Sequence, residues 1–437
     1  MKSAKSPNPI SPYCTGCGAC AARSEGTVRM DWDPDGFLVP KKVSASNIPE
    51  AAFSACPFPK EGDTNALDED ALAGIFLRDS SRSDPKVGRF ENTYIGHAPA
   101  HRETSSSGGL ATYVFHEILR RKIVDHIFVV SQDGAAFKYR LVSSAEEVDA
   151  TSKTRYFPVT LEDFFSITET MDGKIGVSGV ACFVKAVRIY QAQNPRYAEK
   201  IPFIVGIICG GLKSASFTDY LADKAGAGDN YQYPQYRIKD AKSSANDYSF
   251  AAISADGNQH SIKMARVGDM WGTGMFKAKA CDFCTDVLTE LADISLGDAW
   301  LPVYREDGLG HNVLVTRTKV ADEILQEGIS DGSLTVASAD PSQIISSQRA
   351  SFAHRWDALQ FRIRLAKFLR HPVPAVRQRV LKKVPILQSL VQIQRERTRF
   401  ASISHWRRKP LAKHFDIRMF PHRALLKIFT KLNHWAR

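Results

Sequence analysis

The segment "SPYCTGCGAC" at residues 11–20 places three cysteines at a spacing of three, Cys14, Cys17 and Cys20. The next cysteine, Cys56, directly precedes Pro57. Three close cysteines and a remote one before proline are typical of bacterial ferredoxins, because a tight loop can wrap three corners of an Fe–S cube while the chain returns for the fourth. These four cysteines therefore predict a [4Fe–4S] site.

A zinc site with four cysteine ligands is the alternative for this segment. Zinc sites usually present two C-x2-C pairs, whereas this chain has a triple and a distant single cysteine. Residues 1–70 are rich in Pro, Gly, Ser and Ala with only short apolar pieces, a composition that suits a small domain held together by a metal. We predict a ferredoxin-like iron–sulfur domain over residues 1–70, followed by a linker at 78–88.

The pattern of residues 90–335 is short β-like runs that alternate with helical runs. "HIFVV", "KIGVSGVACF" and "IPFIVGIIC" predict buried strands, and "SSSGGLATYVFHEILRRK", "VKAVRIYQAQ" and "ASFTDYLADKAG" predict helices, the first of them capped by its serines. This alternation predicts an α/β domain with a mixed, mainly parallel sheet, in a chain that is α+β overall.

Four further cysteines lie in this α/β region: Cys182, Cys209, Cys281 and Cys284. Cys182 and Cys209 each follow a predicted strand, and the carboxyl ends of parallel strands converge on the crevice where cofactors bind. A loop carrying Cys281 and Cys284 could complete a second site with four thiolates. Taken singly, Cys182 and Cys209 would also fit as small buried apolar residues.

Charge is divided unevenly along the chain. Residues 361–437 carry 20 Lys/Arg and 2 Asp/Glu, so they hold +18 and the first 360 residues hold −7 of the total of +11. Prolines break residues 345–437, which predict a basic C-terminal extension of several short amphipathic helices. Docking on an anionic membrane surface or on a partner is favoured over a solvated extension packed on the acidic body, and nucleic acid is the less favoured partner.

The chain has the composition of a globular protein, and its longest apolar run, "FIVGIICGGL", is far short of a membrane span. Eight cysteines grouped in this way are more typical of ligation than of disulfide bonding in a reducing compartment. These features predict a cytoplasmic protein whose basic extension allows peripheral contact with the inner face of the membrane.

Four motifs carry a family resemblance: "CTGCGAC", "TSSSGGLATYV", "FIVGIICGG" and "KACDFCTDVLTELADISLGDAW". Together they resemble the family of coenzyme F420 hydrogenase/dehydrogenase beta subunits, which includes formate dehydrogenase beta subunits and 7-hydroxymethyl chlorophyll a reductase. The resemblance covers residues from about 10 to 330. It implies an iron–sulfur flavoprotein with FAD beside an inner [4Fe–4S] cluster on Cys182, Cys209, Cys281 and Cys284, and a second cluster on the N-terminal extension.

The resemblance also directs attention to flavin contacts. Helix starts with glycines and hydroxyl groups bind phosphate, so the predicted contacts of the FAD pyrophosphate are Ser105, Ser106, Ser107, Gly108 and Gly109. Lys153 and Arg155 are predicted to contact phosphate or the flavin ring. Asp298 is predicted to bond ribityl hydroxyls or a ring N–H. The alternatives are a serine-rich N-cap without a ligand for the first set and a solvated surface pair for the two cations. No catalytic residue is identified.

These inferences predict an oxidoreductase that exchanges hydride with coenzyme F420 or another small organic molecule at FAD and passes single electrons through two [4Fe–4S] clusters. Its partners would be ferredoxin or another redox subunit. Two alternatives stay open: a ferredoxin-dependent reductase of a small molecule unrelated to F420, and a zinc-stabilised protein that binds nucleic acid through its basic extension. The sequence leaves the oligomeric state open.

Overall fold

The computed structural model describes residues 9–63 and 66–436, and short elements surround its first four cysteines. They are α1 (Ala19–Ala22), β1 (Val28–Trp32), β2 (Leu38–Lys42), α2 (Glu50–Ser54), α3 (Glu69–Phe76), β3 (Arg82–Asp84) and β4 (Gly88–Phe90). Strands β1 and β2 form an antiparallel hairpin. A small apolar cluster with Val28, Met30 and Ala52 packs beside it.

Residues 78–88 are not the linker that the sequence predicts. Strands β3 and β4 pair there as an antiparallel hairpin, and the Val87 side chain is fully buried. The guanidinium of Arg317 donates to the carbonyl oxygens of Val87 and Arg89 at 2.8 and 2.7 Å. A polar segment thus becomes ordered because its backbone carbonyls satisfy a buried cation.

The chain then alternates between strands and helices. The strands are β5 (Asn92–His97), β6 (His126–Asp133), β7 (Ala136–Val142), β8 (Ile175–Val180), β9 (Ile204–Ile207), β10 (Gln232–Ile238), β11 (Ser249–Ile253), β12 (Gln259–Lys263), β13 (Ile294–Asp298), β14 (Asn312–Thr316) and β15 (Thr335–Ser338). The helices are α4 (Pro99–Arg102), α5 (Leu110–Arg120), α6 (Ala145–Ala150), α7 (Glu162–Thr170), α8 (Ala181–Gln193), α9 (Arg196–Lys200), α10 (Ala215–Ala225), α11 (Met264–Val267), α12 (Pro302–Arg305) and α13 (Lys319–Ser330). The predicted α/β alternation is confirmed.

Eight of these strands form one mixed sheet in the order β15-β5-β14-β13-β9-β8-β6-β7. Strands β6, β8, β9 and β13 are parallel neighbours, so the predicted parallel arrangement holds at the centre. The other pairs are antiparallel. Strand β7 must be antiparallel because a two-residue turn joins it to β6, and a parallel partner would need a long crossover.

Helices cover both faces of this sheet, because successive strand side chains point to opposite sides. Ile127 and Val129 pack with the helix residues Val114 and Ile324 on one face. Phe128 packs with residues of α7 and α8 on the other. A separate three-stranded antiparallel sheet, β10-β11-β12, packs against α10.

The carboxyl ends of β8, β9 and β13 lie at one edge of the sheet, since these strands are parallel. Cys182 follows β8, Cys209 follows β9 and Asp298 ends β13. Strand β5 runs in the same direction, because two successive antiparallel pairings connect it to β13. The serine-rich loop that follows β5 and α4 therefore lies at this edge too.

The C-terminal extension is helical, as predicted. Its helices are α14 (Pro341–Ser347), α15 (Arg349–Arg355), α16 (Leu359–Phe368), α17 (Ile386–Arg408) and α18 (Ala412–Trp435). The prediction of only short helices is wrong for α17 and α18, which are 23 and 24 residues long. Pro385 and Pro410 lie at helix boundaries, whereas Pro421 lies inside α18.

Much of the extension packs on the α/β domain through buried arginines. Arg362 donates to the carbonyl oxygen of Asp282 at 2.6 Å, Arg399 pairs with the Asp282 carboxylate at 3.1 Å, and Arg377 pairs with Glu290 at 2.8 Å. For this part of the extension the structure shows packing on the body. Across residues 9–63 and 66–436, no helix is both long enough and apolar enough to cross a bilayer.

Candidate functional site

The first four cysteines come together beside α1; we call them the outer thiol set (Cys14, Cys17, Cys20 and Cys56). Burial raises the pKa of Cys20, and the neighbouring thiols of Cys17, Cys14 and Cys56 raise it further. Gly16 and Gly18 adopt left-handed backbone conformations that turn the loop. The N–H of Gly16 donates to the Cys14 sulfur at 3.3 Å, so the loop directs a backbone dipole at a thiol.

The other four cysteines form a second group, the inner thiol set (Cys182, Cys209, Cys281 and Cys284). Burial raises the pKa of Cys182 well above its usual value, and the thiols of Cys281, Cys209 and Cys284 add to this effect. All four are free thiols. The three chain segments that the sequence suggested thus meet at the carboxyl edge of the sheet.

The inner thiol set is held by local backbone geometry. Cys182 lies in the first turn of α8, which begins directly after β8 at Ala181; the structure has no loop between strand and helix. The N–H groups of Gly211 and Leu212 donate to the sulfurs of Cys209 and Cys281, each at 3.2 Å. Backbone N–H donors of this kind stabilise thiolate ligands and tune a cluster's potential.

The two thiol sets are neighbours. The thiol of Cys17 is among the groups that raise the pKa of Cys182, and Cys56 and Cys182 pack against the same apolar core. A small cavity between the sets is lined by Pro57, Phe58, Cys182 and Cys284. The two sets therefore lie on adjoining parts of the same core.

A buried cation lies beside the inner thiol set. Arg355 of α15 donates to the carbonyl oxygens of Cys209 and Asp286. Burial opposes its charged form, but the thiols of Cys284, Cys209 and Cys281 raise the Arg355 pKa above its usual value. The C-terminal extension thus places a fixed positive charge where thiolates would need compensation.

The serine loop is built differently from the capped helix start that the sequence suggested. Gly109 occupies the N-cap of α5, so no serine caps this helix. The hydroxyl of Ser105 bonds Ser152 at 2.8 Å, that of Ser106 accepts from the Thr154 N–H at 2.9 Å, and that of Ser107 donates to the His311 carbonyl at 3.2 Å. The serines therefore fasten the loop to its neighbours.

The two glycines of the loop allow close backbone packing. A Cβ on Gly108 would lie 2.7 Å from the Asn312 Oδ1, and one on Gly109 would lie 2.7 Å from the His101 carbonyl carbon. Gly109 also has a left-handed backbone conformation, with φ of 81°. Both glycines are thus explained by protein contacts. At the start of α5 the N-cap Gly109 has no side chain to offer, and the Leu110 N–H donates to the Asn312 Oδ1 at 3.4 Å.

Alanine at Gly109 is expected to destabilise the protein by about 2–5 kcal/mol, because strain in the left-handed backbone adds to the overpacking against His101. Gly332 offers a matched control, since its φ is 80° but a Cβ there would meet nothing within 4 Å. Gly332→Ala should cost only about 1–2 kcal/mol. Equal losses in denaturant unfolding would contradict the packing argument.

The loop of Lys153 and Arg155 lies against the serine loop through the Thr154–Ser106 hydrogen bond. Burial lowers the Arg155 pKa to about 10, and its buried Nε has no hydrogen-bond partner within the described part of the chain. Burial, followed by the charge of Arg155, also lowers the pKa of Lys153. Arg155 is partly buried and Lys153 is exposed, and neither forms an ion pair with a carboxylate of residues 9–63 and 66–436.

Asp298 joins the same network through a residue that the sequence analysis did not single out, Arg237. The Arg237 guanidinium pairs with Asp298 at 2.8 Å and donates to the Ser106 carbonyl at 3.3 Å. Arg237 has φ of 53°, and the pairing of β10 with β11 shifts register before Ile238. An irregular strand thus re-aims this arginine toward the edge of the sheet.

An aromatic cavity adjoins Arg237 and was also not predicted. Its lining includes Tyr156, Phe217, Tyr236, Tyr248 and Trp271. A Cβ on Gly210 would lie only 3.3 Å from the Trp271 ring, and Gly210 directly follows Cys209. We call residues 105–107 and their partners Thr154, Arg237 and Asp298 the serine-loop network. The cavity therefore lies between this network and the inner thiol set.

Positive charge converges on the serine loop. Lys239 donates to the carbonyl oxygens of Ser107 and Leu309 at 3.0 and 3.2 Å. Burial lowers its pKa to about 8, and the charges of Lys153, Arg102 and Arg237 add to the effect. Like charges so close together favour binding of an anion.

A further group of side chains consists of His101, His116 and Asp149. Their ligand atoms all lie within 4.8 Å of one another, and the His116 Nε2 is 2.9 Å from the Asp149 carboxylate. The sequence spacing of these residues matches no metal motif. The hydrogen bond to His116 accounts for the position of Asp149, so we assign no function to the group.

Comparisons with known proteins identify the family. A model of the coenzyme F420 hydrogenase/dehydrogenase beta subunit N-terminus matches residues 93–165, and the corresponding C-terminal model matches residues 172–342. These matches identify the protein as a redox subunit, that is, a component of an oxidoreductase. The chain belongs to the family of coenzyme F420 hydrogenase/dehydrogenase beta subunits, which confirms the resemblance carried by its motifs.

Curated relatives agree with this assignment. The chain is 24% identical over 260 residues to the beta subunit of a coenzyme F420 hydrogenase of Methanosarcina barkeri, covering 57% of this chain and 82% of that protein. It is 23% identical over 324 residues to a subunit of the F(420)H(2) dehydrogenase of Methanosarcina mazei, covering 71% and 80%. The family matches end at residue 342, so the arginine-rich extension lies beyond them.

The fold is also found in a solved structure. A chain from the xenon-derivatized F420-reducing [NiFe] hydrogenase complex of Methanosarcina barkeri matches with a TM-score of 0.50 and 20% sequence identity. The match covers 67% of this chain and 98% of that chain. It supports a shared α/β fold.

Proposed function

We propose that this protein is an iron–sulfur flavoprotein oxidoreductase that exchanges hydride with a small organic substrate and single electrons with a redox partner. The observation that carries the proposal is the continuous arrangement of three sites. The serine-loop network adjoins an aromatic cavity, and a wall of this cavity, Trp271, contacts Gly210 next to Cys209 of the inner thiol set. The thiol of Cys17 in the outer set raises the pKa of Cys182 in the inner set.

The residues of both thiol sets fit [4Fe–4S] clusters. Each set offers four cysteines, and seven of the eight have pKa values raised by burial. Buried thiols without a metal would stay protonated, and binding a metal ion deprotonates them. The N–H donors of Gly16, Gly211 and Leu212 and the charge of Arg355 are the compensation that cluster thiolates need.

The serine-loop network fits the anionic and polar parts of FAD. The N–H groups at the start of α5 beyond that of Leu110 and the Arg155 Nε, which has no partner among the described residues, are suited to a pyrophosphate. Asp298 accepts a hydrogen bond from Arg237. This bond fixes the orientation of the Asp298 carboxylate, which could accept further hydrogen bonds from hydroxyl or N–H donors of FAD. Aromatic side chains line the cavity beside them, and these are the residues that would contact a planar ring.

Bound FAD would supply two-electron hydride chemistry, and bound [4Fe–4S] clusters would supply one-electron transfer. The chain's own contribution is positioning and electrostatics. Tyr156 and Trp271 wall the cavity and exclude water, Arg237 and Asp298 fix polar contacts at its edge, and Arg355 holds positive charge beside the inner thiols.

We infer an anionic substrate or cofactor from the convergence of Lys153, Arg155, Arg237 and Lys239 on this region. Coenzyme F420 is an acidic deazaflavin and matches that charge, so it is the first candidate. Ferredoxin or another redox subunit is the proposed partner at the outer thiol set, and the cytoplasm is the proposed location. Reduction of a small molecule unrelated to F420 remains the second candidate, since the same cations would accept other anions.

The substrate is tested by anaerobic reduction of the purified protein with F420H2, NADH, NADPH or reduced ferredoxin. We expect F420H2 to bleach the flavin absorbance, with subsequent bleaching of the cluster absorbance. Reduction by ferredoxin alone would favour the second candidate. If no donor bleached the flavin, the proposed exchange would be contradicted.

Arg237→Lys is expected to weaken FAD retention by about tenfold or more, because a lysine cannot hold Asp298 and the Ser106 carbonyl with one planar group. Iron content should be unchanged, since Arg237 touches no cysteine. Arg140→Lys is the control, because Arg140 makes a half-exposed ion pair with Asp133. Flavin release is measured after dilution and filtration. Equal retention of FAD in both variants would show that Arg237 does not help to bind the flavin.

A further inference from the structure

Helix α18 has apolar side chains on two opposite faces. The inner face contains Phe415, Met419 and Leu426, which are buried. Phe415 packs on the rings of Tyr220 and Phe276, at centroid distances of 4.8 and 5.0 Å. This face fixes α18 on the body and accounts for only a minority of its large apolar residues.

The outer face is solvent-exposed and continuous. Ile417, Phe420 and Trp435 are 66%, 71% and 81% exposed. At 100° per residue these three side chains, with those of Leu425, Ile428 and Leu432, lie within one stripe of the helix surface, opposite the inner face. The stripe is about 27 Å long, and isolated exposed apolar residues do not form such a pattern.

Basic residues flank the stripe. At 100° per residue Lys427 and Arg418 lie beside the two edges of the stripe, and Lys413 and Lys431 lie just inside the edge next to Lys427; all four are exposed. The acidic residue of the helix, Asp416, is held by Lys224 and by the Tyr220 hydroxyl. The outer face therefore presents apolar and aromatic groups between unneutralised cations.

We propose that this outer face of α18 lies on an anionic lipid bilayer, parallel to its surface. An apolar stripe flanked by lysines, with a tryptophan at one end, is the pattern of an interfacial helix, since the apolar side chains enter the acyl boundary and the cations contact acidic headgroups. A second copy of the chain is the poorer occupant, because two such faces would bring their cations together. The proposal does not depend on the cofactors.

Flotation of the full-length protein with vesicles tests the proposal. We expect binding to phosphatidylcholine vesicles containing phosphatidylserine, weak binding to pure phosphatidylcholine, and loss of binding on raising NaCl from about 0.1 to 0.5 M. The variant Phe420→Ser/Ile428→Ser/Trp435→Ser should bind at least about tenfold more weakly to the anionic vesicles. Lys427→Glu/Lys431→Glu should reduce binding to the anionic vesicles alone.

Val303→Ser is the matched control, because Val303 is 73% exposed but lies on α12. It should float as the wild type does, and circular dichroism should show unchanged folding of all variants. Absence of vesicle binding, or equal binding by the serine variant, overturns the proposal. Binding that does not change with salt also overturns the proposal. If the wild type does not bind vesicles but forms a concentration-dependent dimer, or a complex with an acidic protein, and the serine variant does not, the outer face is a protein interface and the proposal is wrong.

Discussion

The variant Cys284→Ser is expected to lose about half of the protein's iron, and Cys17→Ser is expected to lose the other half. The reason is that each residue belongs to a different thiol set, and each set gathers four cysteines from its own chain segments. Iron and acid-labile sulfide are measured per chain after anaerobic purification. The remaining cluster of each variant should keep its own electron paramagnetic resonance signal on reduction.

The double variant Cys17→Ser/Cys284→Ser provides the control, because it should lose nearly all iron while each single variant keeps about four atoms. Serine retains the size of cysteine but is a poor cluster ligand, so the substitution tests ligation with little change in packing. Complete loss of iron from either single variant would contradict two independent sites.

The largest expected effect on stability follows from Arg377→Met. The Arg377 side chain is fully buried and forms two hydrogen bonds of 2.8 Å with Glu290, and it lies 3.6 Å from the buried Glu69. Methionine would remove the two short hydrogen bonds of Glu290, and only the longer contacts would stay, with Lys185 3.5 Å from Glu69 and Arg379 3.7 Å from Glu290. Breaking a buried pair in this way costs about 3–5 kcal/mol.

Arg379→Met is the matched control for this variant. Arg379 is 37% exposed at its side chain and pairs with Asp70 at 2.6 Å, so its loss should cost only about 0–1 kcal/mol. Both variants are compared with the wild type by denaturant unfolding of the cofactor-loaded protein. If the two losses were equal, Arg377 would not anchor the extension to the body.

The α/β domain could be predicted because its signals are local. Alternating apolar runs identified β6, β8 and β9, and the parallel direction of these strands brings Cys182 and Cys209 to one edge without any further information. Asp298, in contrast, was predicted as a flavin contact only from the family resemblance. The family motifs, including the cysteine pair of the inner set, were recognised for the same reason: each is contained in a short segment.

The network around Arg237 could not be predicted, because it depends on long-range geometry. Arg237 reaches Asp298 only through a register shift in β10, and no local pattern marks such an irregularity. The prediction that serines cap the helix after this loop is wrong, since Gly109 is the N-cap of α5.

The C-terminal extension shows a related limit. Its charge could be counted, but the charge count does not tell which arginines meet buried carboxylates and which face solvent. Arg377 and Arg399 pair with the body, whereas Lys427 and Lys431 remain exposed on α18. One basic segment thus contains both anchoring residues and an exposed face.

The central claim is that the two thiol sets and the serine-loop network hold iron–sulfur clusters and a flavin. Metal analysis and an absorption spectrum of the anaerobically purified protein test it most directly. We expect a brown protein with about eight iron atoms per chain, and FAD released on acid denaturation. A colourless protein that contains zinc and no flavin would contradict it.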